Sequence, residues 1–379
     1  MNLKIALRKE KIYEFSLIMF LTWAGLINGV KWKSYLLPLM NSINSFVMYG
    51  IVILLLYCIL LKDKVTKRMF LLFSLMVATS VIIYLQNNDN SLLFLTLFIL
   101  GSYHMDFEKI AKRFAIGQLV VVVGILIVYN LGLSEDVVSY FSYGTGHSLG
   151  TYHANNLGTI GFSCYLALCY CYIRNNIKVQ IVLAIVAVLL LWQITLSRTN
   201  CLLILLFPIT QIIVIMMKKT GSTRILKLSK YLLIGLFLIT VFMTILYENI
   251  TTLFSDGTFL ERFRFGSILL QRYGIHLFGS KIDFVSTVDA RILGVSNLVL
   301  DNAYLKLIIS YGVIPTIFII AIFSKVIRSS LIRRNYNLLI ISVLIAISGL
   351  TQGMFVSVYN FVLLTAYANM DSGNVAKKG

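Results

Sequence analysis

Long apolar stretches separated by short polar joints recur along the whole chain. Crossing the hydrocarbon core of a bilayer takes about 20 mostly apolar residues. Segments of that kind lie at 13–30, 42–61, 69–86, 115–133, 155–173, 179–197, 201–217, 231–249, 303–323, 336–353 and 354–370, and a shorter one at 91–104 makes twelve. The pattern predicts an all-α fold, a polytopic bundle of about twelve transmembrane helices forming a single domain over 1–379. One stretch breaks the rhythm: residues 250–302 are too polar to cross and predict one large loop. Within it Glu261, Arg264, Ser267 and Gln271 recur at helical spacing, with Phe265, Leu269 and Tyr273 on another face. That spacing predicts an amphipathic helix lying on a membrane surface.

Composition agrees. The chain is 59% hydrophobic and 13% charged, with a mean hydropathy of +0.87, whereas a soluble domain carries about 25% charged residues. The basic start MNLKIALRKEKIYEF leads into an apolar stretch with no small-residue cleavage site, which predicts a retained first span rather than a signal peptide. Five cysteines all fall inside apolar segments, as packing residues do.

Charge orients the spans. The 33 Lys/Arg outnumber the 15 Asp/Glu, and the excess sits in the N-terminal tail, 62–68, 105–114, 174–178, 218–230, 324–335 and the C-terminal tail. These are alternate joints, so the positive-inside rule predicts that both termini are cytoplasmic and that the 250–302 loop is extracytoplasmic. Basic residues spread over seven such segments are topology determinants, not a nucleic-acid-binding stripe. Ionisable residues within the spans are confined to Glu14, His104, Glu248 and Lys306, each near an end, and no repeat relates the two halves. Both facts weigh against ion-coupled transport.

On this topology the unusual polar residues gather at the outer ends of spans. The loop before the sixth span carries Gly144, Gly146, Gly150 and Gly158 with His147, His153, Asn155 and Asn156. Those residues also suit a plain turn in which an asparagine caps the next helix. Arg198 stands in a tight connection, ITLSRTN, which would fix its guanidinium at the mouth of the bundle; a snorkelling interfacial arginine is the simpler alternative. Asp301 and Asn302 open the tenth span as N-cap residues or as groups facing the same space as Arg198. Lys306 would share a helix face with Asn302. Arg262, Arg264, Arg272 and Arg291 occupy the large loop, on the side where positive charge is disfavoured, which suggests an anionic substrate; contact with lipid headgroups is the alternative.

Four motifs occur together in order: HSLGTYHANNLG at 147–158, TLSRT at 195–199, the RFRF…HLFG run at 262–279, and LDNAYLKLIISYG at 300–312. In order and spacing they resemble the Wzy-type polysaccharide polymerases, within the broader group that includes the O-antigen ligases. The resemblance implies roles for His153 and Asn155, for Arg198, for Arg262 or Arg264, and for Asp301 with Tyr304. The ligases often have histidine-asparagine where this chain has Asp301-Asn302, and proline where it has Ala154; the first departure favours a polymerase. Such enzymes are glycosyltransferases of the bacterial plasma (inner) membrane. They join oligosaccharide repeat units carried on a polyprenyl diphosphate into capsule, exopolysaccharide or O-antigen, beside a flippase and a chain-length regulator as partners. The chemistry suits the residues. A sugar hydroxyl attacks an anomeric carbon while a lipid diphosphate leaves, so Arg198 with Arg262 or Arg264 would hold phosphate oxygens. Asp301 or His153 would act as base, and Asn155, Asn302 and Tyr304 would position substrate. The donor arrives activated, so no cofactor is expected, and no metal-ligand spacing stands out. Two rivals follow from the same features: a ligase moving finished polymer to another acceptor, and a flippase or transporter of lipid-linked units.

Overall fold

The computed structural model describes residues 3–27, 29–60, 66–141, 144–221, 224–247, 258–285, 294, 298–357 and 359–368. Helices α1 (Leu3–Ile27), α2 (Leu37–Leu60), α3 (Lys67–Asn87), α4 (Ser91–Gly101) and α5 (Phe107–Asn130) lead to a hairpin of β1 (Val138–Phe141) and β2 (Gly144–His147). Then come α6 (Ala154–Cys171), α7 (Ile177–Thr195), α8 (Arg198–Lys219), a 3₁₀ turn (Ile225–Leu228), α9 (Ser229–Ile245) and α10 (Thr258–Tyr273). The last part holds α11 (Ala303–Leu305), a π-helical turn (Lys306–Tyr311), α12 (Val313–Ile332), α13 (Tyr336–Ser348), a 3₁₀ turn (Gly353–Val356) and α14 (Phe361–Leu364). Among the described residues seven helices are long and apolar enough to cross a membrane, and α4 and α13 are shorter apolar helices. The chain is a membrane-embedded multi-pass protein, nearly all-α.

The helices pack mostly with their sequence neighbours, α1 against α2, α5 against α6 and α7 against α8, while α1 also lies along α5. A core of Tyr13, Phe98, Phe114, Phe162, Phe207 and Phe323 runs through the bundle. Outward faces stay apolar: α7 buries little beyond Gln180, Ala184 and Thr195 and exposes Val182, Ile185, Leu189 and Leu190. Such continuous apolar exposure is tolerable in hydrocarbon and not in water. Many hydroxyls within the helices donate to a carbonyl one turn back or pair across helices, as where Ser80 Oγ and Thr96 Oγ1 join α3 to α4 at 2.7 Å.

The joints sort into two ends. At one, Lys109 and Arg113 pair with Glu10 and Glu14 at 2.9 and 2.7 Å, Arg174 meets Glu108 at 3.1 Å, and Lys325 stands 3.9 Å from the Tyr367 ring. At the other lie the hairpin, the start of α6, the α7–α8 turn, α10 and the start of α11. Alternate joints therefore share an end, as the charge pattern requires.

Three expectations need correction. The span expected at 303–323 is not one helix: α11 gives way to the π turn, and Gly312 (φ 92°) separates that from α12. The span expected at 354–370 is irregular, a 3₁₀ turn and a four-residue helix, yet Phe355, Val356 and Phe361–Leu364 are almost wholly buried. Non-helical backbone at membrane depth is stable where protein surrounds it. Here Asn360 Nδ2 donates to the Phe355 carbonyl at 2.9 Å, and Ser163 Oγ to that of Tyr359 at 2.8 Å. Finally, the glycine-rich loop is not a plain turn. Val138 faces His147 and Phe141 faces Gly144 in an antiparallel pair, a small departure from all-α.

The π turn is clamped from both sides. Tyr311 Oη donates to Asp89 at 2.9 Å, Asn87 Nδ2 to the Ser310 carbonyl at 2.7 Å, and Lys306 Nζ lies 3.7 Å from Asp89. Lys306 thus faces the α3–α4 joint. On the opposite side Ser280 N donates to the Ile309 carbonyl at 3.0 Å, and Gly279 (φ 74°) abuts the Ser310 carbonyl with no room for a Cβ. Gly279→Ala is expected to cost about 1–2 kcal/mol from the left-handed backbone alone, with the clash added. A thermal unfolding scan of the purified protein in detergent should show a clear fall in midpoint.

Candidate functional site

The site grows from the starts of three helices. His153 is the N-cap of α6: its backbone is extended (φ −157°, ψ 145°), and its Nδ1 accepts the Asn155 N–H at 3.1 Å. An Nδ1 that accepts leaves the ring proton of a neutral imidazole on Nε2. Burial lowers the pKa of His153, with Asp301 offsetting part of the effect, so the ring is biased towards the neutral form.

The α7–α8 turn lies against the same helix start. Leu196 (φ 51°) ends α7, Ser197 precedes α8, and Arg198 is its first residue. Gly158 makes the approach possible, because a Cβ there would fall 2.7 Å from Asn200 Nδ2 and 2.9 Å from Ser197 Oγ. A buried polar chain ties the pieces together. Asn200 Nδ2 donates to Ser197 Oγ at 2.8 Å, Gln352 Nε2 to Asn200 Oδ1 at 2.8 Å, and Thr159 Oγ1 to Gln352 Oε1 at 3.1 Å. Arg198 itself is exposed at this end of the bundle.

The third start is α11. Asn302 is fully buried: its Oδ1 accepts from Tyr304 N and Leu305 N at 3.0 and 3.2 Å, and its Nδ2 donates to the Leu350 carbonyl at 3.1 Å. Tyr304 is also fully buried, its hydroxyl donating to the Ala346 carbonyl at 2.6 Å. These two residues hold the element in place rather than lining the site, which corrects their expected role of touching substrate. Asp301, one residue earlier, is left facing outwards and is reached by water. Enough protein crowds it for desolvation to raise its carboxyl pKa, an effect that Arg262 and His153 only partly offset.

Arg262 comes from α10. Leu269 of this helix packs in a cluster with Leu300, Leu305, Ile308 and Ile309, so α10 is seated on the protein by one face. Arg262 is half-buried; burial lowers its pKa and Asp301 pulls it back. Arg264 is exposed, its guanidinium 5.2 Å from the Phe265 ring. Two residues apart on a helix is more than half a turn, so the structure brings Arg262 to Asp301 and leaves Arg264 out. Ser267, expected on the solvent face, is buried. Arg291 and the rest of the loop at 248–257, 286–293 and 295–297 lie outside the described residues.

The arrangement is a carboxylate flanked by a guanidinium and an imidazole, within electrostatic reach of one another. No hydrogen bond or ion pair joins the three among the described residues. Asn155 is half-buried on the first turn of α6, beside His153. His147 belongs to a separate knot: its Nδ1 lies 2.6 Å from Asp136 Oδ2, while Asp136 Oδ1 accepts from Ser148 N and Leu149 N at 2.9 and 3.0 Å. Burial would raise the Asp136 carboxyl, but the His147 and Ser148 hydrogen bonds hold it below the usual range. That carboxylate pins the hairpin. Among the described residues no three His, Cys, Asp or Glu come together as a metal site.

Sequence reasoning missed Gln352 and Thr159, which with Asn200, there a candidate cap of α8, link the starts of α6 and α8. Attention to ionisable groups alone passed over them. An amide closing the apolar run at 336–353 was the available signal. No family model, curated protein or solved structure matches the chain.

Proposed function

We propose that the protein polymerises polyprenyl-diphosphate-linked oligosaccharide repeat units by glycosyl transfer on the outer face of a bacterial plasma membrane. The observation that carries this reading is that Arg262 and His153, from separate parts of the chain, both act electrostatically on the Asp301 carboxyl. The two-ended sorting of the joints supports a topology of twelve passes with both termini cytoplasmic and these three residues outside.

In this mechanism the acceptor sugar hydroxyl attacks the anomeric carbon of the donor. Its proton passes to Asp301, a new C–O bond forms, and the bond to the diphosphate breaks. The electron pair leaves with the diphosphate, whose growing charge Arg262 meets, a task suited to a planar, permanently charged guanidinium. His153 presents Nε2–H and serves as a donor that orients an oxygen; with Nδ1 occupied as an acceptor, it is not the base. That leaves Asp301, and a carboxyl raised towards neutrality is a better proton acceptor than an ordinary one. Arg198 serves as a second phosphate ligand at the rim, and Asn155 faces the sugar.

Purified full-length protein in detergent, given lipid-linked repeat units, should produce a ladder of lengthened lipid-linked chains. With no second compartment present, a ladder excludes pure transport and its absence overturns the proposal. In cells lacking the protein, lipid-linked single units should accumulate; accumulation of lipid-linked long chains would instead assign a ligase. Arg198→Ala should cut long-chain product at normal protein level, and undiminished product would remove Arg198 from the mechanism.

A further inference from the structure

We propose that the chain also binds one acidic phospholipid, its acyl tail lying in an apolar groove at the end of the bundle remote from Asp301. Helix α8 runs away from the site, and at about 1.5 Å per residue its last turn lies about 30 Å from Arg198. There α8, the 3₁₀ turn, the start of α9 and the middle of α13 wall a cavity of about 530 Å³. Ile213, Met217, Leu226, Leu232, Ile340 and Val343 line it. Two of its hydroxyls are turned away: Thr210 Oγ1 donates to the Leu206 and Phe207 carbonyls at 2.8 Å each, and Ser229 Oγ to that of Leu226 at 2.6 Å. The remaining lining is aliphatic apart from Tyr231, and it suits hydrocarbon.

The edge is the opposite in character. Residues 218–230 contain Lys218, Lys219, Arg224, Lys227 and Lys230 and no acid. Lys230 Nζ stands 4.6 Å from the ring of Tyr231, which lines the groove. Lys218 Nζ stands 4.1 Å from the ring of Tyr336, on the first turn of α13. A dry slot with a cationic lip complements a molecule that is apolar in its body and negative at its head. An acyl chain matches the apolar lining and the phosphate of its headgroup the basic edge. Each basic residue beside an anionic headgroup adds about fivefold in affinity, which sets the preference for an acidic lipid over a zwitterionic one.

The test uses the full chain in detergent with dioleoyl phosphatidylglycerol or dioleoyl phosphatidylcholine, bound lipid being counted by intact-complex mass spectrometry. One phosphatidylglycerol per chain should be retained, with a preference of about tenfold or more over phosphatidylcholine. Val343→Trp, which fills the slot, should abolish retention, and Met217→Phe serves if that variant does not fold. Lys227→Gln with Lys230→Gln should keep binding but shrink the preference to about twofold. Equal retention of both lipids, or phosphatidylglycerol retained unchanged by a folded slot-filling variant, overturns the proposal. So does a mass of two chains with no lipid, or displacement by equimolar polyprenyl phosphate. The readout is bound mass and not polymer, so this inference stands or falls apart from the proposed activity.

Discussion

Asp301→Asn is expected to lower the rate of chain lengthening by about 10²- to 10⁴-fold, the usual contribution of a positioned base, without destabilising the fold. The asparagine keeps the shape and loses the proton-accepting oxygen. Stability should move the other way. Desolvation raises the Asp301 pKa in the folded protein, so ionising it there costs more than in the unfolded chain. That cost is absent below the unfolded pKa and fully present above the raised folded one. At neutral pH the variant should therefore melt at or above the wild-type temperature. The same shift fixes the pH dependence: wild-type activity should fall as pH drops through a pKa above the usual carboxylate range, and this acid limb should vanish in the variant. Rates measured across pH with purified protein and a thermal scan check all three outcomes. A variant that melts lower and keeps its acid limb would show that Asp301 is merely structural.

Arg262→Ala is the second large effect, a loss of about 10²- to 10³-fold, as for removal of a group that meets charge developing in a transition state. It carries a signature that misfolding would not produce. Arg262 lowers the Asp301 pKa, so its removal should raise that pKa and move the acid limb to higher pH. Arg262→Lys should recover only part of the rate, since a lysine keeps the charge without the two-pronged geometry. Arg264→Ala should leave the rate within a few-fold of wild type. Equal losses at 262 and 264 would point instead to a diffuse electrostatic role for α10.

The helix pattern made the membrane class and the gathering of three polar clusters legible in advance. Hydropathy records what a segment is made of, not what surrounds it. It therefore gave 354–370 the same reading as a lipid-facing helix, although Phe355 and Phe361 are buried among other side chains. The π turn was hidden for a related reason: its hydrogen bonds to Asp89 and Asn87 come from a joint more than two hundred residues earlier in the chain. Periodicity predicted α10 but not which face it would seat. Tertiary packing on Leu305 and Ile308 made that choice, and with it the choice of Arg262 over Arg264.

The irregular buried segment around Phe355 and Phe361 imposes an order on biogenesis. A segment whose backbone lacks regular helical pairing has no stable existence in bare lipid; it can enter only a bundle already assembled to receive it. The stretch leading into it supplies the Gly349 carbonyl that accepts from Ala303 N, the Leu350 carbonyl that anchors Asn302, and the Gln352 amide between α6 and α8. A chain still being translated through that stretch therefore lacks the carbonyls and the amide that join these elements.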